Sequence, residues 1–259
     1  MRPIQDSAPP YKALFHPSLD AGLAAAWLAE PCALLPKSSR APWRGLSACG
    51  ELFIKYREAG RLESLRPIGS DRFSGALSLG LKLEARQLPV SSPLALIEGP
   101  GPQGGRGRWL IMSAIPGLSL AQFVAQSSLG ASVEVFGRLA GILGRFHDCG
   151  FRQRDLKAPN IMVADGGELV LVDLEGMHAL DGPADWKLRA KDLGRLGASF
   201  LSPTFVEAGV GPGHWDELLR LYLGACDEPA WNAGKLSKRT LGYALKKVER
   251  NAAGGRPLA

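Results

Sequence analysis

The segment FRQRDLKAPNIMV, which runs from Phe151 to Val163, is the stretch on which the interpretation of the whole chain depends. It contains one aspartate, Asp155, between two basic residues, and an asparagine, Asn160, five positions later. Taken alone, it is a polar loop of the kind in which aspartates cap helices and turns. The stretches that surround it in the chain decide its meaning.

Two short apolar stretches, NIMVA and ELVLVDLE, follow this loop, and the residues DGG between them predict a hairpin turn. Because a hairpin brings its two ends together, Asn160 and Asp173 are expected to be close neighbours. A carboxylate beside an amide oxygen suits a hard cation such as Mg²⁺. Asp155 lies just before the hairpin, where it can contact a hydroxyl group, and Lys157 adds a positive charge suited to a transferring phosphoryl group.

The order of these residues resembles the catalytic loop of protein kinases, in which H-R-D-L is followed by an asparagine. The segment RDLKAPN matches that loop with Gln153 in place of the histidine, and Asp173 in VDLEG stands where kinases have Asp-Phe-Gly. The resemblance implies catalytic roles for Asp155 and Lys157 and a Mg²⁺ site at Asn160 and Asp173. The histidine of that loop is mostly structural, so Gln153 does not indicate lost activity.

The kinase resemblance requires ATP-binding residues upstream of the loop. The strand-like stretch LFIKYR supplies Lys55, in the style of the V-A-I-K motif, for the nucleotide phosphates. Glu84 is the only acid in a helix expected over residues 73–88, which makes it the candidate partner of Lys55. Glu58 and Glu63 are possible substitutes for it.

The glycine-rich phosphate loop of kinases, G-x-G-x-x-G, does not occur in the sequence. The stretch PKSSRAPWRG occupies its place, and Lys37, with Arg40 and Arg44, is expected to cover the phosphates by charge. The glycine-rich stretch GPGPQGGRG follows the fourth expected strand, so it is interpreted as a hairpin connection.

The predicted fold is an α+β, protein-kinase-like fold with two lobes in one domain that spans residues 1–259. A small strand-rich N-lobe is expected at about 11–113, a hinge at about 113–117 and a mostly helical C-lobe with the catalytic hairpin at about 118–250. A short helix is expected over SLAQFVAQ and a longer one from Ser132 to Gly150, with Ser132 as the N-cap of the longer helix. A cleft between two lobes is where ligands usually bind.

Segments downstream of the loop narrow the resemblance. No A-P-E motif ends an activation segment, which argues against a regulated protein kinase. HDCGFRQRDLKAPNIMV, LVDLEGM, KLRAKDLGRLGASF and LLRLYL together resemble the lipopolysaccharide kinase family over roughly Leu52 to Leu223. The resemblance implies ATP-dependent phosphorylation of a heptose or Kdo sugar of the inner core, with Asp155 as the catalytic base. It also implies that Asp192 braces the catalytic loop through its backbone.

Charge indicates the kind of partner. The net charge is +6, with 31 basic and 25 acidic residues, and basic residues are dense from Lys235 onward. A balance this basic suggests an anionic partner, namely a nucleotide, a nucleic acid or an anionic lipid surface, and does not choose among them. The family resemblance implies ATP and an anionic sugar or glycolipid acceptor, and no nucleic acid is expected. The basic C-terminus is either a solvated helix face or a peripheral contact with the inner face of the cytoplasmic membrane. The longest apolar run, Gly22 to Ala29, is far too short to span a membrane. The N-terminus lacks the layout of a signal peptide, so a cytoplasmic protein is expected.

Two alternatives stay open from the sequence. A small-molecule phosphotransferase of the aminoglycoside or choline kinase type would also lack a long activation segment, although its loop commonly reads H-G-D. A kinase-like scaffold that binds nucleotide or lipid without turnover would fit the missing glycine-rich loop. Turnover of magnesium-ATP with a panel of acceptors discriminates among the three.

Overall fold

The computed structural model describes residues 11–29, 43–47, 50–59, 72–101, 106–227 and 233–254. These residues form two compact units. The first unit takes the chain as far as Ala85 together with Val90–Ile115, and the second takes Arg86–Pro89 and the chain from Pro116 onward. The first unit is rich in strands and the second is mostly helical, which confirms the predicted α+β class.

A five-stranded antiparallel sheet is the main element of the first unit, with the strand order β1-β4-β5-β3-β2. Two helices accompany it among the described residues of this unit. The strands are β1 (Lys12–Phe15), β2 (Trp43–Ser47), β3 (Gly50–Ala59), β4 (Pro93–Pro100) and β5 (Arg106–Ser113), and the helices are α1 (Ala21–Ala29) and α2 (Arg72–Ala85). The hairpin expected around GPGPQGGRG is therefore confirmed as β4 and β5.

One face of this sheet carries the core of the first unit. Its residues alternate along β3, β4 and β5, as the period of a strand requires, and they are Leu52, Ile54, Ala95, Ile97, Trp109 and Ile111. Trp27 of α1 joins this cluster. Lys55 directly follows the core residue Ile54 on β3, so its side chain belongs to the opposite face of the sheet.

The second unit contains six helices and five short strands among its described residues. The helices are α3 (Leu120–Gln126), α4 (Leu129–Asp148), α5 (Trp186–Phe200), α6 (Pro203–Glu207), α7 (Pro212–Gly224) and α8 (Ala233–Ala253). The strands are β6 (Gly117–Ser119), β7 (Phe151–Gln153), β8 (Ile161–Ala164), β9 (Leu169–Leu171) and β10 (Met177–Ala179). None of the described helices combines the length and the apolar character needed to cross a bilayer.

Helix α4, which precedes the loop that contains Asp155, starts earlier than the sequence predicted. Ser128, not Ser132, is the N-cap of α4, and its side chain accepts a hydrogen bond from the backbone nitrogen of Ala131 at 3.3 Å. Ser132 is instead a buried residue inside the helix, where its hydroxyl donates to the backbone oxygen of Ser128 at 3.1 Å. The predicted end is right, because Gly150 follows the C-cap in the left-handed region with φ +79°.

The hairpin that decides the interpretation is present. β8 and β9 pair antiparallel, with Ile161 opposite Leu171, and β6 completes a three-stranded sheet beside β8. The second strand ends sooner than expected, at Leu171. Asp173 then adopts a left-handed conformation, with φ 68° and ψ 58°, and a 3₁₀ turn over Leu174–Gly176 follows it.

Candidate active site

The loop between β7 and β8 is held to its own unit along its whole length. Leu156 and Ala158 are buried, although their neighbours in the loop are polar. The backbone nitrogen of Ala158 donates to the hydroxyl of Ser199 on α5 at 3.1 Å. At the start of the loop, the backbone nitrogen of Arg154 donates to the oxygen of Gly176 at 2.8 Å. Such a loop presents its polar side chains in a fixed geometry.

Asp155, Lys157 and Asn160 lie together on this loop. The side-chain nitrogen of Asn160 donates to the backbone oxygen of Asp155 at 2.8 Å and lies 3.5 Å from its Oδ2 atom. Lys157 Nζ lies 2.9 Å from the same Oδ2 atom. The side chains of Asp155 and Lys157 are about 40% and 38% exposed, so the carboxylate is accessible to a ligand from solvent.

Asp173 reaches the same part of the unit through the hairpin. The backbone nitrogen of Val172 donates to the oxygen of Asn160 at 3.0 Å, so Asp173 directly follows the residue paired with Asn160. Gly176 lies beside both aspartates: a methyl group on it would stand 3.3 Å from Asp173 Oδ2 and 3.8 Å from Asp155 Cβ. Asp155, Asn160 and Asp173 are therefore brought together as the sequence predicted.

The donor set suits a hard cation in its chemistry. The amide nitrogen of Asn160 donates a hydrogen bond to Asp155, so the amide oxygen is the side-chain atom that can bind a metal ion. Asp173, which follows the residue paired with Asn160 on the hairpin, adds a carboxylate to the donor set. Mg²⁺ is typically held by one or two protein carboxylates together with substrate phosphates and waters. Accordingly, the part of the chain that the structure describes has no group of three or more His, Cys, Asp or Glu side chains that could form a complete metal cage.

Asp192 of α5 braces the start of the loop, as the sequence predicted. Its Oδ2 atom accepts a hydrogen bond from the backbone nitrogen of Gln153 at 3.0 Å. Its Oδ1 atom accepts from Arg152 at 2.7 Å and from Arg195 at 3.0 Å. Burial raises the pKa of Asp192, and the two arginines oppose that effect. Asp192 thus fixes β7 and the loop to α5.

Gln153, which stands where kinases have histidine, is fully buried. Its side-chain nitrogen donates to the backbone oxygen of Val172 at 2.9 Å. Because Val172 precedes Asp173, Gln153 links the catalytic loop to the second aspartate. Gln153 therefore has a structural role of its own, which agrees with the interpretation that it does not indicate lost activity.

A buried polar network behind the loop was missed from the sequence. His147 Nδ1 lies 2.8 Å from the hydroxyl of Tyr222, and His147 Nε2 lies 3.9 Å from Asp192 Oδ2. Burial, together with the nearby Arg189 and Arg152, lowers the pKa of His147 to about 3, so the imidazole is neutral near pH 7. Arg189 forms an ion pair with Asp148 at 2.7 Å, which ties α5 to the end of α4.

The proposed nucleotide residues fall in the first unit. Lys55 is a half-buried residue of β3. Glu84, its candidate partner, lies 2.9 Å from His16 Nε2. The pairing of Lys55 with Glu84 stays a prediction. Lys37 and Arg40 lie outside the described residues, whereas Arg44, expected in the same phosphate-covering loop, belongs to strand β2.

Comparison with known proteins bears directly on this site. The sequence model of the lipopolysaccharide kinase (Kdo/WaaP) family matches residues 63–222. That range includes Asp155, Asn160, Asp173 and Asp192, but it excludes Lys55.

Individual proteins similar in sequence to this chain are also named as kinases. Proteins named 3-deoxy-D-manno-octulosonic acid kinase, from three strains of Xanthomonas campestris pv. campestris, are each 35% identical to the chain over 137 residues. The aligned part is 51% of this chain and 51% of each relative, so the chain spans about half the length of the curated relatives it matches.

Proposed function

Because the chain belongs to the lipopolysaccharide kinase (Kdo/WaaP) family, we propose that it transfers a phosphoryl group from ATP to a sugar hydroxyl of a lipopolysaccharide core. The observation that carries the proposal is the arrangement of Asp155, Asn160 and Asp173 on a loop and the hairpin that follows it, with the loop anchored by buried residues. A scaffold without turnover has no need of an accessible carboxylate held beside two oxygen ligands for a cation.

Asp155 is the proposed catalytic base. Its carboxylate is accessible, and the hydrogen bond from Asn160 to its backbone oxygen holds the backbone from which the side chain projects. In this role it accepts the proton of the sugar hydroxyl as that oxygen attacks the γ-phosphorus of ATP in line with the leaving group. ADP leaves with the electron pair of the broken P–O bond. Most of the rate would come from positioning and electrostatic stabilisation.

Lys157 would serve the transferred phosphoryl group. In the structure its ammonium group lies 2.9 Å from Asp155 Oδ2, where it neutralises the carboxylate. Both side chains are more than a third exposed, so the pair is weak and readily exchanged for a phosphate contact. Lys157 can then stabilise the negative charge on the γ-phosphate oxygens during transfer.

Asn160 and Asp173 would hold Mg²⁺. When bound, the ion would neutralise charge on the β- and γ-phosphate oxygens of ATP. Lys55 is proposed to contact the phosphates as well, with Glu84 as its candidate partner, and Lys37 is proposed as a further cation for the ATP phosphates. The strand-rich unit would correspond to the N-lobe of a single kinase-like domain, and the helical unit to its C-lobe.

The proposed acceptor is a Kdo residue of the inner core or a related glycolipid sugar. The support is the family membership and the name of the curated relatives, 3-deoxy-D-manno-octulosonic acid kinase. The basic character of the chain, with a net charge of +6, also suits an anionic sugar. Since a glycolipid acceptor resides in a membrane, peripheral contact with the inner face of the cytoplasmic membrane is part of the proposal.

An acceptor panel tests the proposed function. Purified protein is incubated with magnesium and γ-labelled ATP in the presence of a Kdo-terminated lipid A precursor, a heptose-containing core, an aminoglycoside or choline. We expect label on the Kdo- or heptose-bearing acceptor alone, and none when EDTA replaces magnesium. Label on the aminoglycoside or choline only would replace the proposal with a small-molecule kinase, and no label on any acceptor would favour a scaffold.

A further inference from the structure

A basic groove lies on the second unit, at the start of α5 and along α8. It has a volume of about 550 Å³ and is lined by Trp186 of α5 and by residues of α8. Four of the lining side chains are cationic: Lys235, Lys238, Arg239 and Lys246. Glu249 is the only acid in the whole of α8. None of these residues belongs to the loop or hairpin described above.

The packing of α8 fixes which side of the helix faces outward. Leu236, Thr240 and Ala244, spaced four residues apart, are buried on one face. Close contact with α5 holds that face in place: a methyl group on Gly194 would stand 2.4 Å from Tyr243 Cβ, and one on Gly197 would stand 3.5 Å from Ala244 Cβ. The cationic residues of the groove therefore stand on a rigid, outward-facing surface.

Arg239 and Trp186 contact each other in the groove. The guanidinium carbon of Arg239 lies 5.1 Å from the centre of the Trp186 ring, which is a cation–π contact. Trp186 remains 37% exposed, although it is one of the larger apolar side chains. A guanidinium group stacked in this way is pre-oriented to bind a phosphate group through two parallel hydrogen bonds.

Two exposed leucines adjoin the groove. Leu241 and Leu245 are 46% and 47% exposed and are one turn apart on α8. Lys238 precedes them by three and seven positions, so the three side chains share one face of the helix. A soluble phosphate or a nucleic acid gives such leucines no partner, whereas a membrane surface accepts leucine and tryptophan below its head groups while lysine and arginine meet the anionic charge.

We propose that the outward face of α8, together with Trp186, is a docking site for the anionic phosphate groups of a membrane surface. In this arrangement Arg239 and the groove lysines contact lipid phosphates, and Trp186, Leu241 and Leu245 enter the interface. The inference deepens the proposed function, because it rests on a membrane-borne acceptor and names the residues that reach the membrane.

Vesicle binding without nucleotide or acceptor tests the inference separately from catalysis. The probe is a set of vesicles of phosphatidylcholine alone or with about one third phosphatidylglycerol, at low and high salt. Each lysine or arginine near an anionic surface contributes about a fivefold change in partitioning, so Lys235→Gln/Arg239→Gln is expected to reduce binding about 30-fold. Binding to the anionic vesicles should also weaken as salt rises.

Two further variants define the site. Lys12→Gln/Lys82→Gln removes the same charge from exposed positions of the first unit and is expected to change binding less than twofold. Leu241→Ser/Leu245→Ser keeps every charge, and its expected loss of about tenfold on the same vesicles distinguishes a membrane surface from a purely electrostatic phosphate site. Circular dichroism checks that each variant is folded.

The opposite results would overturn the inference. Equal binding to neutral and anionic vesicles would contradict an electrostatic docking site. Equal losses of vesicle binding in the groove variant and in the Lys12→Gln/Lys82→Gln control would contradict it as well. A groove variant that keeps its vesicle binding but loses binding to a single-stranded RNA probe would assign the surface to nucleic acid instead. The acceptor panel contains no vesicles and measures turnover, so failure of vesicle binding is distinguishable from failure of the proposed function.

Discussion

The side-chain nitrogen of Asn160 donates a 2.8 Å hydrogen bond to the backbone oxygen of Asp155. This bond closes the loop on itself and joins the proposed base to a proposed metal ligand. It also uses the one half of the Asn160 amide that cannot bind a cation. Position 160 therefore has two separable contributions, one to loop geometry and one to the metal.

Substitution at Asn160 separates those contributions. Asn160→Asp keeps an oxygen ligand but loses the N–H donor, and Asn160→Ala loses both. We expect Asn160→Ala to reduce kcat by about 10²-fold or more, because displacement of a catalytic group by about 1 Å can have that effect. Asn160→Asp should retain magnesium dependence at a reduced rate. Steady-state kinetics across a magnesium titration is the measurement, and equal kcat in wild type and Asn160→Ala would contradict the assignment.

Asp192 is the second target, because it links α5 to the loop through Gln153 and Arg152. Asp192→Ala leaves a buried arginine without its partner, and breaking a buried pair in this way typically costs about 3–5 kcal/mol in the free energy of unfolding. Urea denaturation measures the loss. The matched control is Glu217→Gln, which breaks the fully exposed Glu217–Arg220 pair and is expected to leave the midpoint unchanged.

The lowered pKa of His147 leads to a prediction of how the free energy of unfolding depends on pH. Its folded-state pKa of about 3 is below the ordinary value of 6.5, so the unfolded chain binds the additional proton. The stability contributed by neutral His147 is complete above about pH 6.5 and is lost as the pH falls toward 3, by about 1.4 kcal/mol per pH unit. Urea unfolding at about pH 7.5 and 5.5 should show a smaller loss in His147→Gln than in wild type. Equal losses would show that His147 is not the buried neutral group described.

Gly194 of α5 and Gly242 of α8 give a paired stability prediction. A methyl group on Gly242 meets nothing within 4 Å, so Gly242→Ala should stabilise the protein by about 0.5–1 kcal/mol through helix propensity. A methyl group on Gly194 would stand 2.4 Å from Tyr243 Cβ, so Gly194→Ala should destabilise it by about 1–3 kcal/mol. Thermal unfolding measures both, and shifts of the same sign would contradict the close packing of α8 on α5.

The neighbourhood of Asp155, Asn160 and Asp173 could be predicted from the sequence because it depends on local structure. A loop, two short apolar stretches and a DGG turn are sufficient to bring residues 160 and 173 together. Position 192 could be assigned by resemblance to a family motif. Its hydrogen bond to Gln153, across 39 positions in the chain, confirms that assignment.

Other features depend on contacts that no local pattern encodes. His147 and Tyr222 are 75 residues apart, and neither stretch carries a signal that the two side chains meet. Strands β6, β7 and β10 have three residues each, which is too short for an alternating pattern to be recognised. The N-cap predicted for α4 was wrong for a similar reason. The stretch SSLGAS contains serines at 127, 128 and 132, and only the three-dimensional path of the chain selects Ser128.

The most direct test of the central claim is the kcat of Asp155→Asn with magnesium-ATP and the acceptor that wild type phosphorylates. Asp165→Asn is the matched control, because it makes the same change at an exposed position of the same hairpin. If Asp155 is the base, Asp155→Asn should lose about 10²- to 10⁴-fold in kcat, with ATP binding within about twofold of wild type and Asp165→Asn fully active. An Asp155→Asn variant that turns over at the rate of Asp165→Asn would contradict the account.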